Sequence, residues 1–219
     1  MHTVEEVLNA FKRGEMVIIV DDIDRENEGD LVIAAEYATP KAINFMATHG
    51  RGLICMPIDA DLAQKLAFHP MIENNTDTHQ TAFTVSIDAI ESTTGISAYE
   101  RSHTIMKVVS DDVTADDFKR PGHVFPLIAK KGGLRVRRGH TEAAVDLTNL
   151  CQLKPAGVIC EILNEDGTMA RRTDLLQFAH KHQMKMTSIQ ALVEFMMVQT
   201  SSKHIDIPKG IERKGEMTL

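Results

Sequence analysis

The sequence predicts an α+β fold, a single three-layer domain in which helices flank a mixed β-sheet. Three observations carry this. Short apolar, β-branched runs at 16–20, 31–35 and 158–163 have the length of strands. Segments with a helical apolar period lie among them, the first two opened by capping residues and closed by glycine. The two kinds of element follow no regular βαβ rhythm, which favours a mixed sheet.

Thr3-Val4-Glu5-Glu6 is a capping box, Val4, Val7, Leu8 and Phe11 fall at helical spacing and Gly14 is the stop, so a first helix is expected over about 4–13. Strands follow at 16–20 and 31–35, joined by a polar decapeptide with no helical period. Thr39-Pro40 supplies a cap and a first-turn proline before Ile43, Met46 and Ala47, and Gly50 ends this second helix ahead of a strand over 53–56. Phe83-Thr84-Val85-Ser86-Ile87 alternates strictly, as a strand with one buried face does. Residues 124–129 and 158–163 read as further strands, and helical periods cover roughly 98–109, 141–151, 174–182 and 188–198. From 201 onward the chain is polar, contains Pro208, Gly210 and Gly215 and has no apolar period; a mobile tail at 201–219 is expected after a domain of residues 1–200.

With 219 residues, 43% hydrophobic and 25% charged, the chain can bury the core of one domain. Its apolar runs are far shorter than the ~18–20 residues of a bilayer span. Glu5 and Glu6 stand where an export signal needs a basic flank and an apolar stretch. A cytoplasmic protein without membrane contact is therefore expected. Cys55, Cys151 and Cys160 form no C-x-x-C pair, so reduced and mostly buried thiols are expected rather than a disulfide framework. A net charge of −7 and an aromatic content of 5% without tryptophan disfavour nucleic-acid binding, including an RNA module built on the arginines from 135 to 138.

The charge is strongly segregated. The decapeptide at 21–30 holds six acids and one base, a net of −5 that repels itself unless a cation visits or water screens it. A hard divalent cation and a solvated acidic turn both fit this spacing. An EF-hand does not, because strands flank the loop and its glycine falls at the wrong position. The opposite pole has five bases within residues 130–138, interleaved with glycines and followed by a helix start near Thr141. Backbone N–H groups, a helix dipole and guanidinium forks can converge there on a phosphate, whereas a solvated basic turn needs no ligand.

Single residues add to this. His140, at the same junction, has the chemistry of a divalent-ion ligand. His180 and His182 read as favourable charges at a helix C-terminus. His123 sits in Arg120-Pro121-Gly122-His123-Val124-Phe125-Pro126, where a held imidazole suits proton transfer and a structural turn is the alternative. Glu161 lies within the otherwise apolar strand read at 158–163, where partial burial raises a carboxylate's pKa towards acid–base use; pairing with an arginine is its structural alternative. Cys55 reads as core, and the stretches at 74–76 and 93–95 as turns.

Seven motifs in order complete the pattern: DDIDRENEGD at 21–30, GRGLIC at 50–55, ENNT at 73–76, TTGISA at 93–98, RPGHVFPL at 120–127, RGHTEA at 138–143 and PAGVICEI at 155–162. Over about 3–200 the chain resembles the 3,4-dihydroxy-2-butanone 4-phosphate synthase family of riboflavin biosynthesis. The resemblance implies a lyase that converts D-ribulose 5-phosphate to formate and L-3,4-dihydroxy-2-butanone 4-phosphate through enediolate formation, dehydration, skeletal rearrangement and formate release. It implies magnesium or manganese, two ions per subunit, no organic cofactor, and a homodimer with active sites near the subunit interface. Carried onto this sequence, Glu26 and His140 would be the metal ligands. Arg25, Glu26, Asp30, Arg137, Arg138, Gly139, His140, Thr141 and Glu161 would bind substrate, and His123 and Glu161 would be the catalytic side chains.

Two positions depart from the family pattern. Arg138 replaces a frequent glycine and is expected to compete for space at the phosphate, and Glu100 replaces an aspartate, expected to alter only a loop or helix-start contact. The GTP cyclohydrolase II domain that many relatives carry is not expected within these residues. A rival reading of another class is a noncatalytic sensor of divalent cation or phosphate using the same two loops. Glu161 separates the two readings, since a sensor has little use for an acid on an apolar strand.

Overall fold

The computed structural model describes residues 1–203. Thr3 Oγ1 accepts from Glu6 N and Glu6 Oε2 accepts from Thr3 N, closing the capping box that opens α1 (Val4–Lys12); such a cap is worth ~1 kcal/mol. Two short strands follow, β1 (Val17–Val20) and β2 (Gly29–Ala34), antiparallel, with Val17 opposite Val32 and Val20 opposite Gly29. Thr39 caps α2 (Pro40–Phe45), which continues into a π-helical turn, Met46–Gly50. Next come β3 (Cys55–Ile58), α3 (Ala60–Lys65), β4 (Ile87–Ala89), α4 (Ala98–Val108) and the long β5 (Phe118–Ile128). The last third holds α5 (His140–Leu150), β6 (Gly157–Glu161), α6 (Arg172–Lys181), β7 (Met186–Ser188) and α7 (Ile189–Lys203).

The strands form one sheet in the order β4-β5-β3-β6-β2-β1-β7. Pairs β3/β5 and β1/β7 are parallel and the others antiparallel, so the sheet is mixed, as expected. Side chains alternate between two cores. Ile18, Val20, Leu31 and Ile33 meet Ile43 of α2, Ile105 of α4 and Leu175 of α6. Val17, Ile19, Val32 and Ala34 meet Val7 of α1, Leu147 of α5 and Leu192 of α7. With helices on both faces, these strands have no solvent side, which is why they read as unbroken apolar runs. Each fully buried branched or aromatic side chain contributes about 1.5–3 kcal/mol.

Four expectations change. The strand read at 83–87 lies at 87–89 instead. Phe83 bridges Leu127 and Thr84 bridges Pro70 singly, before Ile87 pairs with Val124. From 83 to 87 is four steps, answered by three from 127 to 124, so an extra residue breaks the ladder. Elements α3 and β7 were not among the expected ones. At six and three residues they are too short to show a period. Residues 201–203 extend α7, and the rest of the expected tail lies outside the described residues. The segment around His123 is strand β5, not a turn.

Gly122 explains how β5 can pass so close to β4. A β-carbon there would overlap the Ile87 carbonyl and the Asp88 nitrogen, backbone atoms with no room to yield. Gly122→Ala should therefore destabilise by about 1–3 kcal/mol. At roughly 2–4 °C per kcal/mol for a domain of this size, the loss will register as a lowered Tm in thermal unfolding. An unchanged Tm would show that the two strands separate freely.

Candidate active site

The β1–β2 turn is organised by its first residue. Buried Asp21 accepts from Glu28 N at 2.8 Å, Glu26 N at 3.1 Å and Arg25 Nη1 at 2.9 Å, so one carboxylate gathers the loop around itself. A carboxylate offers about four acceptor positions, which leaves capacity for another partner. Glu26 accepts from Arg25 Nη1 at 2.6 Å and turns towards the start of α5. There His140 is buried with Nε2 3.2 Å from Ile19 O. A carbonyl only accepts, so Nε2 carries the hydrogen and Nδ1 faces the acids, 3.8 Å from Glu26 and 3.7 Å from Asp30.

Sheet register supplies the remaining acids. Asp30 on β2 lies opposite Ile19 of β1 and Glu161 of β6, which points the two carboxylates to one face. Glu161 Oε2 accepts from Leu53 N at 2.8 Å, so its partner is a backbone amide and not the arginine of the structural alternative. The approach is possible because residue 52 is glycine; a β-carbon there would collide with the Glu161 carboxylate and backbone.

The charges shift one another. Burial lifts Asp30 to about 7; His140 opposes this, and Glu161, Glu26 and Glu28 reinforce it. Glu26 is held at about 2 by the His140 proton facing it, against the effect of burial and with help from Arg25. Burial disfavours a charged His140, but Asp30, Glu26 and Asp21 outweigh it and raise the imidazole to about 9. Perturbations this large concentrate at functional sites.

These groups border a cavity of about 140 Å³. Arg25, Glu26, Asp30, Arg137, Thr141 and Glu161 are among its polar lining, and Cys55, Phe83, Leu127 and Ile159 make up its apolar lining. Cys55 is thus both buried, as expected, and part of the cavity wall. Arg137 donates to Glu142 Oε2 at 2.6 Å, to His79 O at 3.1 and 3.2 Å and to Thr81 Oγ1 at 3.2 Å, tying residues 79–81 over the cavity. The first turn of α5 opens at Gly139, which provides no side-chain cap, so its N–H dipoles are not turned inward by an N-cap oxygen.

The structure therefore brings together Arg25, Glu26, Asp30, Arg137, His140, Thr141 and Glu161. Gly139 stands behind them as the N-cap of α5. Arg138 does not line the cavity. It donates to Gln190 Oε1 at 2.9 Å and lies 3.9 Å from Asp22, so it leaves the space that its replacement of glycine threatened to fill. His123 also lies outside the cavity lining, with Nδ1 2.8 Å from Asp88 Oδ2 and its N–H on Asp88 Oδ1 at 2.9 Å. Glu100 accepts from Thr93 N at 2.6 Å and Ser97 Oγ at 3.2 Å, the loop and helix-start contacts expected of it. His182 departs from expectation. Burial, His49 and Lys181 lower its pKa, and it packs against Phe178, both of which disfavour the charge expected at this helix end.

Sequence reasoning missed Asp21 and His79. Asp21 follows a buried strand directly, which marks it as the acid of the loop that enters the interior. His79 Nε2 lies 3.8 Å from Glu26 Oε1, yet nothing in its loop sequence signals this.

Asp21, Glu26 and His140 each offer a ligand atom within 4.8 Å of the other two. Ligands about 2.1 Å from one magnesium ion sit roughly 3–4 Å apart, a range that includes the 3.8 Å between His140 Nδ1 and Glu26 Oε2. Asp30 Oδ1 is buried with no hydrogen-bond partner, a second sign that this end of the cavity receives a positive group. Carboxylates with one imidazole match a hard or borderline divalent ion.

A family profile described as 3,4-dihydroxy-2-butanone 4-phosphate synthase matches residues 5–195. The chain belongs to this family. The riboflavin biosynthesis protein RibBA of Bacillus subtilis (strain 168) is 58% identical to this chain over 218 residues, 100% of this chain and 53% of its own length. RibBA of Bacillus velezensis is 58% identical over 208 residues, 94% of this chain and 52% of the relative. The chain thus spans about half the length of these curated relatives. A solved 3,4-dihydroxy-2-butanone 4-phosphate synthase in complex with two magnesium ions superposes with a TM-score of 0.85 at 39% identity, over 93% of this chain and 98% of that one. The mixed seven-stranded α+β architecture is therefore that of the 3,4-dihydroxy-2-butanone 4-phosphate synthases. No helix among the described residues is long and apolar enough to cross a membrane.

Proposed function

We propose that this chain converts D-ribulose 5-phosphate to L-3,4-dihydroxy-2-butanone 4-phosphate and formate in riboflavin biosynthesis, as a cytoplasmic homodimer using two magnesium or manganese ions per subunit. One observation carries the reading. The acidic hairpin and the start of α5 meet in one cavity, with His140 Nδ1 3.8 Å from Glu26 and 3.7 Å from Asp30, and with Arg137 and Glu161 on the same walls.

In this reading Glu26 and His140 hold the cation. When bound, the cation supplies Lewis acidity that stabilises negative charge on the sugar oxygens. Arg25, Glu26 and Asp30 hold the hydroxyl-bearing end. Arg137, Thr141 and the N–H groups after Gly139 hold the phosphate, where a helix N-terminus favours an anion. The two anchors fix the carbon chain between them, an orientational contribution to rate. Glu161, beside that chain, takes and returns protons. His123, steadied by Asp88 on the exposed side of β5, serves the cavity of the partner subunit.

The experiment is direct. Purified protein given D-ribulose 5-phosphate and magnesium should release formate, and a chelator should stop it. Absence of formate from the complete mixture would defeat the lyase reading and leave the sensor alternative.

Cation binding should also depend on pH. The form of His140 that binds a cation is the deprotonated one, and its pKa of about 9 lies above neutrality. Affinity should therefore rise as pH increases, by about tenfold per unit below 9, and level off above it. Below about 7 the protonation of Asp30 weakens binding further. Titration calorimetry in buffers of different ionisation enthalpy will detect the released proton. Binding without proton release would exclude His140 as a ligand.

A further inference from the structure

We propose that Arg171 is a positioning residue that clamps the acidic hairpin in the shape that presents Glu26 to the cavity. Its Nη1 donates to Glu26 O and to Asn27 O, both at 2.7 Å, and lies 3.7 Å from Glu28 Oε1. Asn27 is the point where the hairpin reverses, with φ 55° in the left-handed region. One guanidinium, 144 and 145 positions away in the chain, thus grips both carbonyls that flank this reversal.

The residue is chosen against local helix preference. Arg171 is the N-cap of α6, where Ser, Thr, Asp or Asn is favoured and where the helix dipole repels a cation. A second cation, Arg172, follows it. The Arg171 N–H is satisfied by Asp174 Oδ2 at 2.9 Å, which holds the backbone in place while the side chain reaches the hairpin. Position 171 therefore does poorly as a cap and well as an anchor. The loop it anchors carries a net charge of −5 over residues 21–30 and is otherwise gathered from inside by Asp21. Asp21 pins the amides of Glu26 and Glu28 from within, and Arg171 pins the carbonyls of Glu26 and Asn27 from without. Between them the Glu26 side chain has a fixed starting point.

The consequence for cation binding rests on the function proposed above; the clamp itself does not. Amide hydrogen exchange on cation-free protein tests the clamp. In Arg171→Ala the amides of Glu26 and Glu28 should exchange at least about tenfold faster, the lower end of what one lost hydrogen bond to a charged donor gives. Exchange in β2 and α6 should stay as in the parent. Mn²⁺ affinity, read by electron paramagnetic resonance of the free ion, should fall by about tenfold or more, as for other supports of metal ligands. Saturating Mn²⁺ should recover kcat. Parent-like exchange at Glu26 and Glu28 in a folded variant would overturn the proposal. If Arg171→Ala does not fold, Arg171→Lys keeps the charge without the planar fork. Faster loop exchange in that variant supports the clamp, and parent-like exchange overturns it. A parent protein that releases no formate would defeat the functional reading, yet the exchange comparison would still decide the clamp.

Discussion

Glu161→Gln is expected to lower formate release by about 10²–10⁴-fold, the range of a lost general acid–base group. The substitution keeps the shape of the side chain and its acceptor for Leu53 N, so the bond between β6 and the 50–53 segment survives. What it removes is the capacity to take up a proton beside the bound sugar. Cation affinity should change little, because the groups placed to hold a cation, Glu26 and His140 with Asp21 beside them, do not include Glu161. This contrast also separates an enzyme from a sensor. Unimpaired formate release from the variant would remove Glu161 from the mechanism, and loss of cation binding with activity would make it a ligand instead.

The second large effect concerns His123. His123→Asn should abolish most activity although the residue does not line the cavity of its own chain. Its Nδ1 is held by Asp88, and the imidazole is half-exposed against Gly95; the exposed apolar side chains of that segment of the chain, Ile90, Ile96 and Tyr99, suit contact with a second copy of the chain. Mixing subunits tests this. In a heterodimer of His123→Asn with Glu161→Gln, one cavity would keep both wild-type groups if His123 acts across the interface. Two inactive proteins, unfolded and refolded together, should then regain about a quarter of wild-type activity. That figure assumes that half of the dimers are mixed and that each has one competent site of two. If His123 instead serves its own chain, every cavity in the mixture lacks one group and activity will not return.

The accuracy of the sequence reading followed the range of the forces involved. Helix starts were legible where a local cap precedes a visible apolar period, Thr3 with Glu6 and Thr39 with Pro40, whereas the Asp59 cap of the six-residue α3 has no such period behind it. Strands with both faces buried announced themselves as apolar runs in β1, β2 and β6. The misplaced strand at 83–87 shows the limit. Alternation reports which way side chains point, while the ladder partner is set by β5, some forty residues later in the chain. Elements as short as β7 exist because a neighbouring strand completes them, and no local pattern encodes that.

The site divides in the same way. The two charged segments, His140 and the lone acid on an apolar strand were visible because charge and hydropathy are properties of residues in order. The orphaned Asp30 oxygen, the Leu53 amide under Glu161 and His79 beside Glu26 were not, since each depends on atoms brought together from distant segments. Nor was the split between Arg137 and Arg138, adjacent residues of the same type that turn to Glu142 and Gln190 respectively.

By itself, then, the order of residues determined the fold class, the two opposed charge poles and the motifs that place the chain in its family. Only tertiary packing decided which acid is buried enough to rise to about 7 and which histidine is surrounded by enough acids to reach about 9. The physical reason is that desolvation and Coulomb coupling act through space. Their size is set by neighbours that sheet register supplies, such as Glu161 opposite Asp30, whatever their separation along the chain.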